Sequence, residues 1–182
     1  MNVLVFASRK GGSGKSTLAA HLAAHVHRSS RPCLLIDDDP QGSLTLWNDL
    51  RRRGLPLRVV KRGTADTLTK AKRDGAEWVF IDTPANMSAS VVDAINYATL
   101  VIVPCRPGVF DINAVLETVS FARRVQTPYA VVINGAPPKR EEIEAPSVSS
   151  ARKISRLWLA IERSVQAING AGYKTAMHRF AA

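Results

Sequence analysis

Six short apolar runs recur along the chain: Val3-Leu4-Val5-Phe6, Cys33-Leu34-Leu35-Ile36, Leu57-Arg58-Val59-Val60, Trp78-Val79-Phe80-Ile81, Leu100-Val101-Ile102-Val103 and Ala130-Val131-Val132-Ile133. Most are continuous rather than alternating, the pattern of strands covered on both faces of a parallel sheet. Between them lie segments of helical length: Lys15 to Arg28, Ser43 to Arg53, Ala65 to Asp74, Ala89 to Tyr97 and Asp111 to Val125. In the last of these, Ile112, Val115, Leu116 and Val119 recur at helical spacing behind Asp111, a candidate N-cap. A final helix is predicted over roughly Val148 to Ile168, capped by Ser147 or Ser149. Strands and helices alternate, so the expected fold is a three-layer α/β domain with a mostly parallel sheet and helices on both faces.

Gly135-Ala136-Pro137-Pro138, the charged stretch Lys139 to Glu144 and Pro146 break this pattern and read as a surface loop, not a domain boundary. Asn169 to Ala182 has weak periodicity, and no element is assigned to it. There is no internal repeat. At 182 residues the chain reads as a single domain whose part after about residue 169 is short or altered.

Composition adds one departure from the ordinary. Hydrophobic content of 46% and charged content of 22% are those of a soluble globular protein, but 25 Lys+Arg against 15 Asp+Glu give +10. Such a domain attracts polyanions, and nucleic acid is the first partner to consider. A generic basic surface is the plainer account, and charge alone does not separate the two. Cys33 and Cys105 lie far apart, each in an apolar run, and read as reduced core thiols of a cytosolic protein. No signal peptide or membrane span is visible, since the apolar stretch Val3 to Ala7 is too short. Trp47, Trp78 and Trp158 read as core or interface anchors. His21 and His25 share a helix face at i,i+4, but no third ligand accompanies them, so they read as surface histidines.

The chemistry sits where the first strand runs into Lys10-Gly11-Gly12-Ser13-Gly14-Lys15-Ser16-Thr17. Glycines in this loop let backbone N–H groups turn inward around phosphate oxygens, where a Cβ would clash. Lys15 reaches the β/γ-phosphates, and the Ser16 hydroxyl suits a Mg²⁺ ligand. Thr17 sits at a helix N-terminus, which favours the α-phosphate. A strand before and a helix after are the context this phosphate loop requires, and both are present. Lys10 to Thr17, Ser13 included, is therefore the candidate binding stretch for ATP or ADP with Mg²⁺.

Lys10 is an extra lysine outside the ordinary phosphate loop. K-G-G-x-G-K-[ST]-T resembles the deviant Walker A signature of the ParA/MinD family of ATPases. Ile36-Asp37-Asp38-Asp39-Pro40-Gln41-Gly42 resembles that family's switch I segment, and Val79-Phe80-Ile81-Asp82-Thr83-Pro84-Ala85 its Walker B and switch II. Val103-Pro104-Cys105-Arg106-Pro107 and the helix after it are similar to small plasmid-partition ATPases. The resemblance covers roughly Met1 to Asn134.

It implies a set of roles. Lys10 would reach across a nucleotide-sandwich homodimer to the partner's phosphates, and Asp39 would position the attacking water. Asp82 would hold Mg²⁺ through a water, with Asp37 near the metal. Phosphoryl transfer needs these parts, cationic clamps, a metal and an oriented water, more than a strong base. A turn closing the strand is the plainer account of Asp37 to Asp39, since Asp-Pro favours turns. Three adjacent carboxylates beside a phosphate loop nonetheless repel one another unless a cation is present. Asn134 resembles the family's adenine-contact position, and it is equally a turn residue before Gly135.

On the final helix, at about 100° per residue, Ile154, Leu157, Trp158, Ile161, Val165 and Ile168 fall on one face. Arg152, Arg156 and Arg163 fall opposite, within about 40° of each other. Relatives bind DNA through basic residues in C-terminal helices, which carries over as a region only; Arg51 to Arg53 is the other basic stretch.

The resemblance thus implies a cytoplasmic, nucleoid-associated partition or positioning ATPase. It would dimerise on ATP, bind double-stranded DNA without sequence preference and hydrolyse ATP weakly unless a ParB-like or other cargo adaptor stimulates it. A membrane-surface switch needs an amphipathic anchor, which Tyr173 to Ala182 is too polar to supply. A P-loop small-molecule enzyme would not need Lys10. A non-hydrolysing remnant is argued against by Lys15, Asp39 and Asp82.

Overall fold

The apolar runs become the strands of one parallel sheet. The computed structural model describes residues 1–51, 57–61, 65–135 and 150–171. In chain order the elements are β1 (Asn2–Phe6), α1 (Lys15–Val26), β2 (Cys33–Asp37), α2 (Ser43–Leu50), β3 (Arg58–Lys61) and α3 (Ala65–Arg73). They continue with β4 (Trp78–Asp82), α4 (Ala89–Tyr97), β5 (Leu100–Cys105), α5 (Val109–Arg124), β6 (Tyr129–Ile133) and α6 (Ser150–Gly170). The strand order is β3-β2-β4-β1-β5-β6, and every ladder is parallel.

Position in the sheet explains the sequence pattern. The four inner strands are buried almost throughout, which is why their runs are continuous. At the edges, β3 and β6 keep exposed positions. Side chains of β1 alternate between two cores: Leu4 and Phe6 join the layer of α1, α2 and α6, while Val3 and Val5 join that of α3, α4 and α5. The expected three layers are therefore present.

Along α6 the expected apolar face is the buried one. Trp158, Ile161 and Val165 are buried, and Ile154, Leu157 and Ile168 pack at its margin against the same core. Trp158 meets Trp78 edge to face, with ring centroids 4.7 Å apart at 77°. Two of the three tryptophans are thus core anchors, and Trp47 is half-buried against the same cluster. Cys33 and Cys105 are buried free thiols, and burial pushes the Cys33 thiol up to about 12.

Several expectations need correction. Asp111 is not an N-cap: Gly108 holds that position, α5 starts at Val109, and Asp111 lies in the first turn with its carboxylate turned to Lys10. Nor do all four apolar residues of α5 face the core. Val115 and Val119 are buried, but Ile112 and Leu116 are 53% and 57% exposed, because one row of the helix is enough to cover its side of the sheet. The first helix ends at Val26, where His27 leaves helical geometry and its Nδ1 accepts the Cys33 N–H at 3.2 Å. The second ends at Leu50, with Arg51 as C-cap. Arg52 and Arg53, the loop from Ala136 to Pro146, the caps Ser147 and Ser149, and the tail after residue 171 lie outside the described residues.

If Trp158 fastens α6 to the sheet, Trp158→Ala should lower the unfolding free energy by about 3–5 kcal/mol. Urea denaturation followed by circular dichroism reads this directly; a loss under about 1 kcal/mol would mean the helix is not part of the core.

Candidate functional site

Parallel strands all end on one edge of a sheet, so whatever follows each run is gathered there. The phosphate loop follows β1, Asp37 and Asp82 close β2 and β4, Arg106 follows β5, and Asn134 follows β6. In register, Asp37 pairs with Asp82 and Asp82 with Phe6. A cavity of about 760 Å³ opens above them, walled by the phosphate loop, the segment Asp39 to Gln41, the segment Pro84 to Asn86, Arg106 and Asn134.

The loop has little freedom of sequence at Gly14. Its φ is 101°, in the left-handed region, and a Cβ there would stand 2.1 Å from Asn134 Nδ2. Gly14 also caps α1 without any side-chain hydrogen bond, so the helix's first-turn amides have no side chain to satisfy them. That is the arrangement suited to an anion. Asn134 donates its N–H to the Cys105 carbonyl at 2.7 Å and its Nδ2 to the Ser13 carbonyl at 2.9 Å. It therefore ties the end of β6 to the loop, a function neither of its two sequence readings includes.

Lys15 is only 6% exposed and folds back so that Nζ donates to the carbonyls of Ser8 and Lys10, each at 3.3 Å. Burial lowers its pKa, while the charges of Asp82 and Asp39 work to raise it. Asp82 is fully buried, and neither of its oxygens has a hydrogen bond within the geometric limits of one. Burial pushes its carboxyl up to about 7, against the pull of the Ser16 hydroxyl and of Lys15. Asp37 accepts from Thr45 N at 2.8 Å and Thr45 Oγ1 at 2.7 Å through one oxygen, and its other oxygen is buried without a partner. Buried oxygens left unmatched beside a lysine and a serine hydroxyl are the donor set of a hard divalent cation, so these residues fit Mg²⁺. Asp39 lines the cavity itself and accepts the Gln41 N–H at 2.9 Å.

Three features escaped the sequence reading. Lys10 pairs with Asp111, and Arg9 with Glu117, both carboxylates belonging to α5. Arg106 is exposed on the cavity wall. Buried Thr83 donates to the Phe6 carbonyl at 2.7 Å, fastening the end of β4 to β1. No local spacing marks such contacts; only the presence of acids on a helix predicted to follow β5 hinted at the first two.

Away from the cleft, Arg152, Arg156 and Arg163 are exposed on α6 and form no ion pair among the described residues. Glu162, the acid nearest that stripe, is taken up by Arg31 at 2.9 Å. Arg51 is not comparably free: it lies over the Trp47 ring at 4.8 Å and donates to Asn48 and the Leu57 carbonyl. Among the described residues no group of His, Cys, Asp and Glu forms a metal cluster, and no helix is long and apolar enough to cross a membrane. His21 is exposed, as expected of a surface histidine.

A family model described as the CobQ/CobB/MinD/ParA nucleotide binding domain matches residues 4–171. Protein ParA of Rhizobium radiobacter is 35% identical over 115 residues, which are 61% of this chain and 51% of that protein. The chromosome-partitioning ATPase Soj of Thermus thermophilus is 30% identical over 153 residues, covering 64% of this chain and 61% of that one. The chain thus spans about half to three fifths of the length of these curated relatives. In structure, a plasmid partition protein from Borrelia burgdorferi superposes with a TM-score of 0.66 at 17% identity, covering 90% of this chain and 98% of that one.

The raised pKa of Asp82 has a consequence for stability. With about 7 in the fold against an ordinary 3.8, the native state binds this proton more tightly than the unfolded chain does. Stability therefore falls as pH rises from about 4 to about 7 and levels off above. In metal-free buffer, Asp82→Asn should be more stable than wild type at pH 8, by an unfolding free energy on the order of a few kcal/mol, and so melt higher; this advantage should shrink towards pH 5. A gap between the two melting curves that does not change with pH would contradict this account.

Proposed function

Because the chain belongs to the CobQ/CobB/MinD/ParA family of nucleotide-binding domains, we propose that it is an ATP-driven partition or positioning switch, which dimerises on ATP, binds DNA without sequence preference and resets by hydrolysis. The observation that carries this reading is the cluster at the floor of the cleft, where Lys15, Asp37 and Asp82 are buried together with carboxylate oxygens that lack a well-formed hydrogen bond. When bound, Mg²⁺ would neutralise phosphate charge there, held by Ser16, by Asp82 through water and with Asp37 beside it.

The chain's own residues take the remaining parts. The amides of Gly11 to Thr17 and the Lys15 ammonium hold the phosphates, and Asn134 keeps the loop in shape from the side where the adenine would lie. Asp39, on the cavity wall, orients the attacking water. Lys10 is the contact to a second subunit, and to make it the ammonium must leave Asp111. Hydrolysis is slow until a ParB-like or other cargo adaptor completes the site. The α6 arginines supply the DNA surface.

Three substitutions separate these parts. Lys15→Ala should abolish Mg-ATP binding in calorimetry. Asp39→Ala should keep ATP, stop hydrolysis and sediment as a trapped dimer. Lys10→Ala should keep nucleotide and stay monomeric. Normal ATP-dependent dimerisation of Lys10→Ala in the ultracentrifuge would refute the sandwich.

The DNA arm has its own signature. Two-fold pairing would place six α6 arginines on one surface, and each phosphate neutralised releases counterions, giving a log–log salt slope of roughly −5 for the dimer and about half that for a monomer. Binding should be stronger with ATP and indifferent to sequence, because phosphate contacts carry no base information. Changing Arg152, Arg156 and Arg163 together to alanine should flatten that slope while leaving ATP turnover without DNA intact. Retardation of DNA by the triple variant at wild-type levels would move the footprint off α6.

A further inference from the structure

Besides Lys15, the described residues bring three cations to the phosphate loop, and two of them are already neutralised. Arg9 meets Glu117 and Lys10 meets Asp111, both from α5. The third is Arg106, at the end of β5, whose guanidinium makes no hydrogen bond or ion pair among the described residues. Its path is informative. A Cβ on Gly135 would stand 4.0 Å from Arg106 Cγ, and a Cβ on Gly12 would stand 4.0 Å from Arg106 Nη2. The side chain therefore runs from the end of β5, past Gly135, to the phosphate loop, and its charged tip lies beside Gly12 on the wall of the cavity that Lys15 and Ser16 also line.

We propose that Arg106 is a phosphate-binding residue of this cleft, its guanidinium contacting the nucleoside polyphosphate next to Gly12. The inference rests on the ATPase reading above and deepens it. An anion entering the cleft meets the carboxylates of Asp37, Asp39 and Asp82 with Lys15 as their counter-charge, while Lys10 is engaged by Asp111. A further unpaired cation is what such a site needs before a second subunit contributes anything. The planar fork of a guanidinium matches phosphate oxygens with two parallel donors, which an ammonium does not. The tip lies by Gly12 of the phosphate loop, which favours a phosphate contact over stacking on the base.

The test compares wild type, Arg106→Ala, Arg106→Lys and, as a control on an exposed arginine of α5, Arg124→Ala. Affinities for Mg-ATP are measured by calorimetry, and inorganic triphosphate is titrated as a competitor. Arg106→Ala should weaken both ligands by the same factor, roughly 10- to 100-fold, with Arg106→Lys losing less and Arg124→Ala unchanged. Melting without ligand should not move, because the side chain holds nothing in the fold. Wild-type affinity in Arg106→Ala overturns the proposal, as does a loss for ATP without one for triphosphate, which would place the contact on the base. Failure of the wild type itself to bind Mg-ATP would instead bring down the ATPase reading, and this inference with it.

Discussion

Asp82 ends a buried strand with both oxygens out of water and only the Ser16 hydroxyl and Lys15 to answer its charge, and much of the cleft is arranged around that one under-satisfied carboxylate. Its neighbour in register, Asp37, adds a second buried acid, for which Thr45 provides two hydrogen bonds to a single oxygen. Lys15 is the nearest answering charge, yet burial works against its ammonium as well. A site with more buried carboxylate than cation gains stability from a positive ion supplied from outside. The cause is the parallel register, which brings the ends of β2, β4 and β1 to the same point.

The start of the phosphate loop is held by α5. One row of the helix, Val115 and Val119, seats it on the sheet, and Asp111 and Glu117 then reach the two cations that precede the loop's glycines. These pairs differ in weight. Arg9 and Glu117 are half exposed, and such a pair positions side chains more than it stabilises the fold. Asp111 is almost buried, so its hold on Lys10 is less screened. Ile112 and Leu116 are left outward, next in sequence to Asp111 and Glu117.

On the other face of the sheet, α6 divides its surface between two demands. Trp158 and its row bind the helix to α1 and β4 through the contact with Trp78. That leaves the arginine row outward, and the withdrawal of Glu162 to Arg31 removes the acid that would otherwise interrupt it. The arginine row thus lies apart from the residues that line the cleft.

Residue pattern alone was enough for the alternation of strands and helices, the phosphate loop between β1 and α1, and the two faces of α6. Each depends on spacing within some twenty residues, where the periods of strand and helix record which side is apolar. Boundaries were less legible: Asp111 has the chemistry of a cap, but Lys10 competes for its carboxylate, and Gly108 takes the terminal position instead. The glycine at position 14 was readable as a phosphate-loop residue, whereas the Asn134 side chain that forbids anything larger there was not. Pairing Lys10 with Asp111, tying Asn134 to Ser13 and bringing Arg106 over Gly12 all required the strand order β3-β2-β4-β1-β5-β6. A local period states that a strand is buried on both faces but not which strands flank it. Contacts between residues a hundred positions apart follow from those neighbours, and only the packed sheet selects them.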